Sequence, residues 1–215
     1  MEIPVLEMPD TVVFPGMTLM LSLTGPKHVR LLKQVLERDE HGFMISWTGR
    51  SDGERPPQLP EHGTKMAVLA VKGNDREGYS VTAHGQGRQL LKLARSESVP
   101  DPEGGRSSLL YVHDEPAPLG RTDPGEELLE AWDAVELFRR YAQRFFHPEV
   151  QEEISEALPP DPLYVASFIC ANTLLEPEQQ QQLLAAETLL ARLRLVSHMI
   201  SCELNRSEPA QPGPA

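Results

Sequence analysis

The sequence predicts an α+β protein, in which a small, partly closed β-barrel with one early helix precedes a compact helical bundle. Three observations carry that reading. Apolar residues recur mainly with a period of two before residue 113 and with a period near 3.6 after residue 122. The stretch between them, 113–122, holds Pro116 and Pro118 and reads as a linker. The charge changes at the same place. Residues 1–120 hold 13 basic and 16 acidic side chains, whereas residues 121–215 hold 7 and 16. The expected units are therefore residues 1–114 and 123–205, with 206–215 as a disordered tail.

Each element has a local reason. Ile3 to Met8 is a short apolar strand, ended by Asp10 and the Pro15-Gly16 pair, which fits the centre of a type II turn. Leu19, Leu21 and Leu23 alternate with Met20 and Ser22, as in a strand buried on one face. Pro26 opens a helix on which Val29, Leu32, Val35 and Leu36 share a face. Phe43 to Trp47 is the next strand, and 48–61 is a polar, proline-rich loop. Thr64 to Val71 and Tyr79 to Ala83 flank a long hairpin connection. Gly85 and Gly87 break the pattern as a bulge or bend does, before a strand from Gln89 to Ala94. A loose segment, 96–108, precedes the last strand, Leu109 to Val112.

Beyond the linker, Asp123-Pro124-Gly125-Glu126 reads as a helix start, with Asp as the cap and Pro at the first position. Leu128, Trp132, Val135, Phe138, Tyr141 and Phe145 form the apolar stripe of that helix. Helices are also expected from Pro148 to Leu158, from Asp161-Pro162 to Leu174, and from Glu176-Pro177. A last one is lined by Leu189, Leu193, Val196, Ile200 and Leu204.

Composition narrows the function. The 215 residues carry a net charge of −12, which argues against phosphate-neutralising nucleic-acid binding and against docking on an anionic membrane. Twenty prolines exclude one continuous helical rod. Two cysteines, Cys170 and Cys202, suit a reducing cytosol. The start Met1-Glu2-Ile3-Pro4 lacks the basic and apolar regions of a signal peptide. The longest apolar stretch, Leu163 to Leu175, is too short to span a bilayer. A cytoplasmic location follows as the expectation.

Candidate chemistry is sparse. His198 and Cys202 share a helical face, but two ligands do not close a zinc site. No Gly-x-Ser-x-Gly turn supports a catalytic triad. Arg139, Arg140 and Arg144 lie among Glu130, Asp133, Glu136 and Glu149, so helix ion pairs explain them better than an anion site. Met8, Met17 and Met20 suit loose apolar recognition, although filling the core is the favoured reading. Asp10 reads as a cap of the following turn, and Arg88 as tied into the glycine bend.

The opening, Ile3-Pro4-Val5-Leu6 followed by Asp10-Thr11-Val12-Val13-Phe14-Pro15-Gly16-Met17-Thr18-Leu19, resembles the N-terminal, substrate-binding domain of the ATP-dependent Lon protease. Gly63-Thr64, Gly85-x-x-Arg88, Gln182-Leu183-Leu184 and Ala191-Arg192-Leu193 fall where that family places comparable residues, and the resemblance spans about residues 2–205. Pro9 stands where the family often has a basic residue, and the 48–61 loop is unusually rich in proline. The resemblance implies a PUA-like β-barrel followed by a helical bundle. It also implies a role in recognising protein substrates and in assembly, with no catalytic residue or cofactor. Asp10, Phe14, Pro15, Gly16, Gly85 and Arg88 carry the structural motif. No Gly-x4-Gly-Lys-[Ser/Thr] loop occurs and no lysine follows Lys92, so the ATPase and the serine–lysine peptidase of full-length Lon have no counterpart here. A stand-alone, non-enzymatic module is the expectation. Its partners would be unfolded or partly folded protein segments and a Lon-type or other ATPase. A PUA-like nucleic-acid binder and a small-ligand sensor are the alternatives.

Overall fold

The computed structural model describes residues 1–38, 41–49, 59–100 and 106–206. By Cα proximity the chain divides into two units. One comprises Met1–Pro118 with Leu175–Ala185, and the other Leu119–Leu174 with Ala186–Ala215.

The first unit contains a seven-stranded mixed sheet of order β2-β5-β4-β3-β1-β7-β6. Its strands are β1 (Glu2–Met8), β2 (Thr18–Leu23), β3 (Gly42–Trp47), β4 (His62–Asn74), β5 (Gly78–Leu90), β6 (Leu93–Pro100) and β7 (Arg106–His113). Only β1 and β3 pair in parallel, with Val5 opposite Met44 and Leu6 opposite Ile45. The helix α1 (Gly25–Leu36) lies on the crossover between them.

Side-chain alternation places the core. Leu6, Phe43, Ile45, Leu109 and Tyr111 face one side, where they meet Leu31, Leu32 and Val35 of α1. Ile3, Val5, Met44 and Val112 face the other, against Leu59, Leu91 and Leu110. The central strands are thus buried on both faces, which is why Ile3–Met8 and Phe43–Trp47 read as continuous apolar runs. The sheet is open rather than partly closed, with β2 and β6 at its edges. Helix α1 packs against β1, β5, β6 and β7.

Two further differences from the sequence reading have local causes. The segment expected to be loose, 96–108, is largely strand: β6 runs to Pro100 and β7 starts at Arg106. Val99 is the one buried residue of β6, and Arg95 and Glu97 share its face, so no apolar alternation marks the strand. Residues 101–105, most of the 48–61 loop (50–58) and the expected tail (207–215) lie outside the described residues. Of the bulge or bend expected at Gly85 and Gly87, the structure has a bulge, and β5 runs on through it to Leu90 without a break. Lys65 pairs with Gly87 and Met66 with Gly85, leaving Gln86 as the extra residue.

A polar knot ties α1 to β6 and β7. Glu97 accepts from the Tyr111 hydroxyl at 2.7 Å and from Arg30 at 2.5 Å, and Arg95 stacks 3.4 Å above the Tyr111 ring. The Tyr111 hydrogen bond, with help from Arg30, Gln34 and Arg95, lowers the Glu97 pKa from 4.5 to about 2. A depressed folded-state pKa contributes stability that is fully present above about pH 4.5 and is lost as pH falls toward 2. We expect Glu97→Gln to be less stable than wild type at neutral pH and to show a shallower loss between these values. Urea titrations across that range check this, and parallel acid limbs would contradict it.

The second unit is helical: α2 (Pro124–Phe145), α3 (Pro148–Ala157), α4 (Pro162–Asn172) and α6 (Leu189–Arg206). Its starts follow the sequence signals. The Asp123 carboxylate accepts from the Glu126 N–H at 2.9 Å, and Asp161 from the Leu163 N–H at 2.8 Å. Helix α2 packs against α3, α4 and α6. Phe138 meets Phe168 edge-on at 6.3 Å, and Tyr141 lies 4.5 Å from Phe145. The remaining helix, α5 (Pro177–Ala185), belongs with the sheet, not with the bundle where the sequence reading had placed it. It packs on β4, and Gln181 donates to the His62 carbonyl at 3.0 Å.

Candidate functional site

Of the six motif residues, Phe14, Pro15, Gly16 and Gly85 lie where a turn meets the β5 bulge in the first unit. Phe14 is fully buried, and Gly16 takes a φ of 90°, open to glycine at little cost. This turn docks on the β5 bulge. The Gly16 N–H donates to the Gly85 carbonyl and the Gly85 N–H to the Met17 carbonyl, each at 2.8 Å. The Thr64 hydroxyl adds a bond to the Val13 carbonyl at 2.5 Å. Arg88, three residues past Gly85, is buried. It donates to the carbonyls of Ala117 at 2.6 Å, Leu184 at 3.0 Å and Pro118 at 3.3 Å. It thereby holds together the end of β5, the segment that follows β7, and α5, a wider reach than the glycine bend. Burial lowers its pKa, and Glu61 opposes that shift. Asp10 lines a depression of about 110 Å³ with Trp47, Glu176 and Glu178. The Trp47 indole N–H donates to the Pro9 carbonyl at 2.9 Å.

The edge strand beside this motif is uncharged, with Thr18, Met20 and Ser22 exposed. Edge strand β2 has the sequence TLMLSL, without a charge or a proline. Met20 is 79% exposed on it, while Met8 and Met17 pack against the core. The core-filling reading therefore applies to two of the three methionines. Register places Met20 beside Thr82 of β5, which pairs in turn with Ala70 of β4. The neighbouring Leu69 is exposed at a β4 irregularity.

The second unit carries an apolar surface, which the sequence reading missed. Helix α2 buries Ala131, Ala134, Phe138, Tyr141 and Ala142. Leu128, Trp132 and Val135, expected on the same buried stripe, instead line an open groove. A helical wheel was enough to see this. From Tyr141 round to Leu129, the apolar residues cover roughly two thirds of the circumference, more than one packing face needs.

Cys170 is buried, which pushes its thiol up to about 12 despite the charge of Arg192. The Cys202 sulfur lies 3.7 Å from His198 Nε2. Among the described residues no group of three or more His, Cys, Asp or Glu is placed to hold a metal ion. Arg139 pairs with Glu136 at 2.5 Å. No described helix is long and apolar enough to cross a membrane.

Residues 2–201 match the family model of the ATP-dependent protease La (LON) substrate-binding domain. The chain belongs to the Lon substrate-binding domain family. Among similar proteins, the Lon protease of Anaeromyxobacter dehalogenans is 26% identical over 210 residues, covering 93% of this chain and 23% of that protein. Lon protease 2 of Desulfotalea psychrophila is 24% identical, with 95% of this chain and 26% of that protein covered. The chain thus spans about a quarter of the length of these relatives. Among solved structures, the N-terminal domain of Mycobacterium avium complex Lon protease superposes with a TM-score of 0.68 at 21% identity, covering 94% of this chain and 98% of that one. A Lon N-terminal domain protein from Xanthomonas campestris gives 0.55 at 15% identity, with coverages of 97% and 99%. The α+β fold is therefore that of Lon N-terminal domains.

Proposed function

We propose that this chain is a non-enzymatic protein-binding module of the cytoplasm. It captures exposed segments of unfolded or partly folded proteins, and a Lon-type or other ATPase is the partner that acts on them. The observation that carries the reading is the match to a substrate-binding domain along residues 2–201. The β2 edge supports it. Exposed edges are normally blunted by lysine, proline or a bulge, and Thr18–Leu23 has neither charge nor proline. An extended segment can add there as a further strand, with Met20 as an adaptable apolar contact. Main-chain pairing is indifferent to client sequence, so affinity is modest, on the order of micromolar. The net charge of −12 favours basic and apolar clients over acidic ones and over RNA.

The test is titration of labelled, reduced and alkylated lysozyme and of labelled RNA against the purified chain at two salt concentrations. Saturable capture of the unfolded protein is expected, with part of it surviving moderate salt. Tight RNA binding that collapses in salt, or no capture of unfolded protein, would overturn the reading. Met20→Lys places a charge on the edge and should weaken capture about tenfold, roughly 1.4 kcal/mol, with the fold intact because the side chain is exposed. Unchanged capture by this variant would remove β2 from the site.

A further inference from the structure

We infer that the groove along α2 in the helical unit is a second recognition site, and that its occupant is a protein segment with bulky apolar side chains flanked by lysine or arginine. The inference rests on the reading of the chain as a protein-binding module, and it adds a site and a client chemistry to that reading. The groove has a volume of about 200 Å³ and lies wholly within the second unit. Leu128, Trp132 and Val135 form one wall, and Leu158, Pro159 and Pro160 the other. Trp132 is 59% exposed, and Leu129 beside it 61%.

Three physical points define what fits. The proline wall has restricted backbone freedom, and α2 is held from behind by Phe138 and Ala134. The groove is therefore preformed, and binding costs little ordering entropy. A large, mostly exposed aromatic ring that lines a groove, as Trp132 does, is the kind of residue that dominates interface energetics. Charge then selects the partner. From Pro124 to Pro162 the chain carries ten acidic and three basic side chains; Glu126 and Glu130 pair with Arg194, Glu127 with Arg121 and Glu136 with Arg139, and Asp133, Glu149, Glu152, Glu153, Glu156 and Asp161 stand outside these pairs. Arg139, the basic residue lining the groove, is already engaged by Glu136. Asp133 and Glu156, both exposed, are adjacent in sequence or nearly so to the lining residues Trp132 and Leu158. A second copy of the chain would bring two such acidic faces together, and nucleic acid would be repelled. A basic-flanked apolar segment gains from both features.

The experiment uses the full chain and two short fluorescein-labelled peptides that share one Leu/Phe core, flanked by lysines in one and by glutamates in the other. Reduced, alkylated lysozyme is titrated in parallel. The lysine-flanked peptide should bind and the glutamate-flanked one should not. Trp132→Ala should weaken the lysine peptide about 30-fold, and Asp133→Lys several-fold with a loss of salt dependence. Leu174→Ala, an exposed leucine outside the groove, should leave binding unchanged. Asp133→Lys alters only an exposed residue, so a folding defect in Trp132→Ala would not leave the question open. Equal binding of the two peptides, no binding of either, or indifference to both groove substitutions would overturn the groove. Continued capture of unfolded lysozyme in that case would leave the general reading standing, and its loss would remove both. Self-association of the wild type that Trp132→Ala abolishes would overturn the inference in favour of a second copy as occupant.

Discussion

Replacing Arg88 with Met should lower the unfolding free energy by about 3 kcal/mol and the melting temperature by about 10 °C. Three main-chain carbonyls, those of Ala117, Pro118 and Leu184, accept from its guanidinium. Methionine fills much of the volume and supplies no donor, so these carbonyls lose their charged partner. Each buried acceptor left unpaired costs about 1–3 kcal/mol, and relief of guanidinium desolvation offsets part of the total. The loss should also be local in its first stage. Amide exchange within α5 and at 115–118 should rise more than in β1 or β3, because Arg88 links those segments to β5. Arg88→Lys should recover only part of the stability, since one ammonium cannot reproduce a planar fork aimed at separate carbonyls. A melting temperature within about 2 °C of wild type for the Met variant would show that the other contacts of α5 suffice.

The same residue shows where the sequence is readable and where it stops. Arg88 was legible as structural because it follows a glycine bend in a family motif, yet its three partners lie 29, 30 and 96 residues away. No periodicity encodes such separations. The assignment of α5 failed for a related reason. Leu183 and Leu184 announce a helix with one buried face, and four glutamines say only that the other face is polar. Which core receives the buried face is decided by β4 and by bonds such as Gln181 to His62, not by local pattern. Local chemistry was read well where it is self-contained. Asp123 and Asp161 cap their helices as their sequence context requires, and β1, β3 and β7 contain the apolar strands expected at Ile3 to Met8, Phe43 to Trp47 and Leu109 to Val112. The candidate surfaces fall between these cases. Trp132 is an apolar residue on a stripe expected to be buried, yet it is exposed, whereas Met20 falls on the strand face opposite Leu21 and Leu23, where the alternation leaves it exposed.

Gly85→Ala should destabilise the protein by about 3 kcal/mol, whereas Gly87→Ala, two residues along the same strand, should change stability by no more than about 0.5 kcal/mol. Sequence treats the two glycines alike, as marks of one bend. Geometry separates them. A Cβ on Gly85 would sit 2.9 Å from the Phe14 carbonyl oxygen, 3.3 Å from Thr64 Cγ2 and 3.4 Å from the Gly16 nitrogen. The nearest obstacle is backbone, so relief requires the Phe14-Pro15-Gly16 turn to lift off β5. Lifting it strains or breaks both 2.8 Å hydrogen bonds that join Gly85 to Gly16 and Met17, and unseats a fully buried Phe14. Overpacking alone costs about 1–3 kcal/mol, and the lost hydrogen bonds add to it. A Cβ on Gly87 meets nothing within 4 Å, and the backbone there is not in the left-handed region. Alanine at 87 restricts the unfolded chain without strain in the folded one, so slight stabilisation is the expected sign. Urea unfolding of the two single variants measures the difference directly. Equal effects at 85 and 87 would mean that the turn is not seated on the bulge. A larger effect at 85 that also weakens capture of unfolded protein would tie the Phe14–Gly16 turn to the neighbouring β2 edge, because that turn leads directly into Thr18.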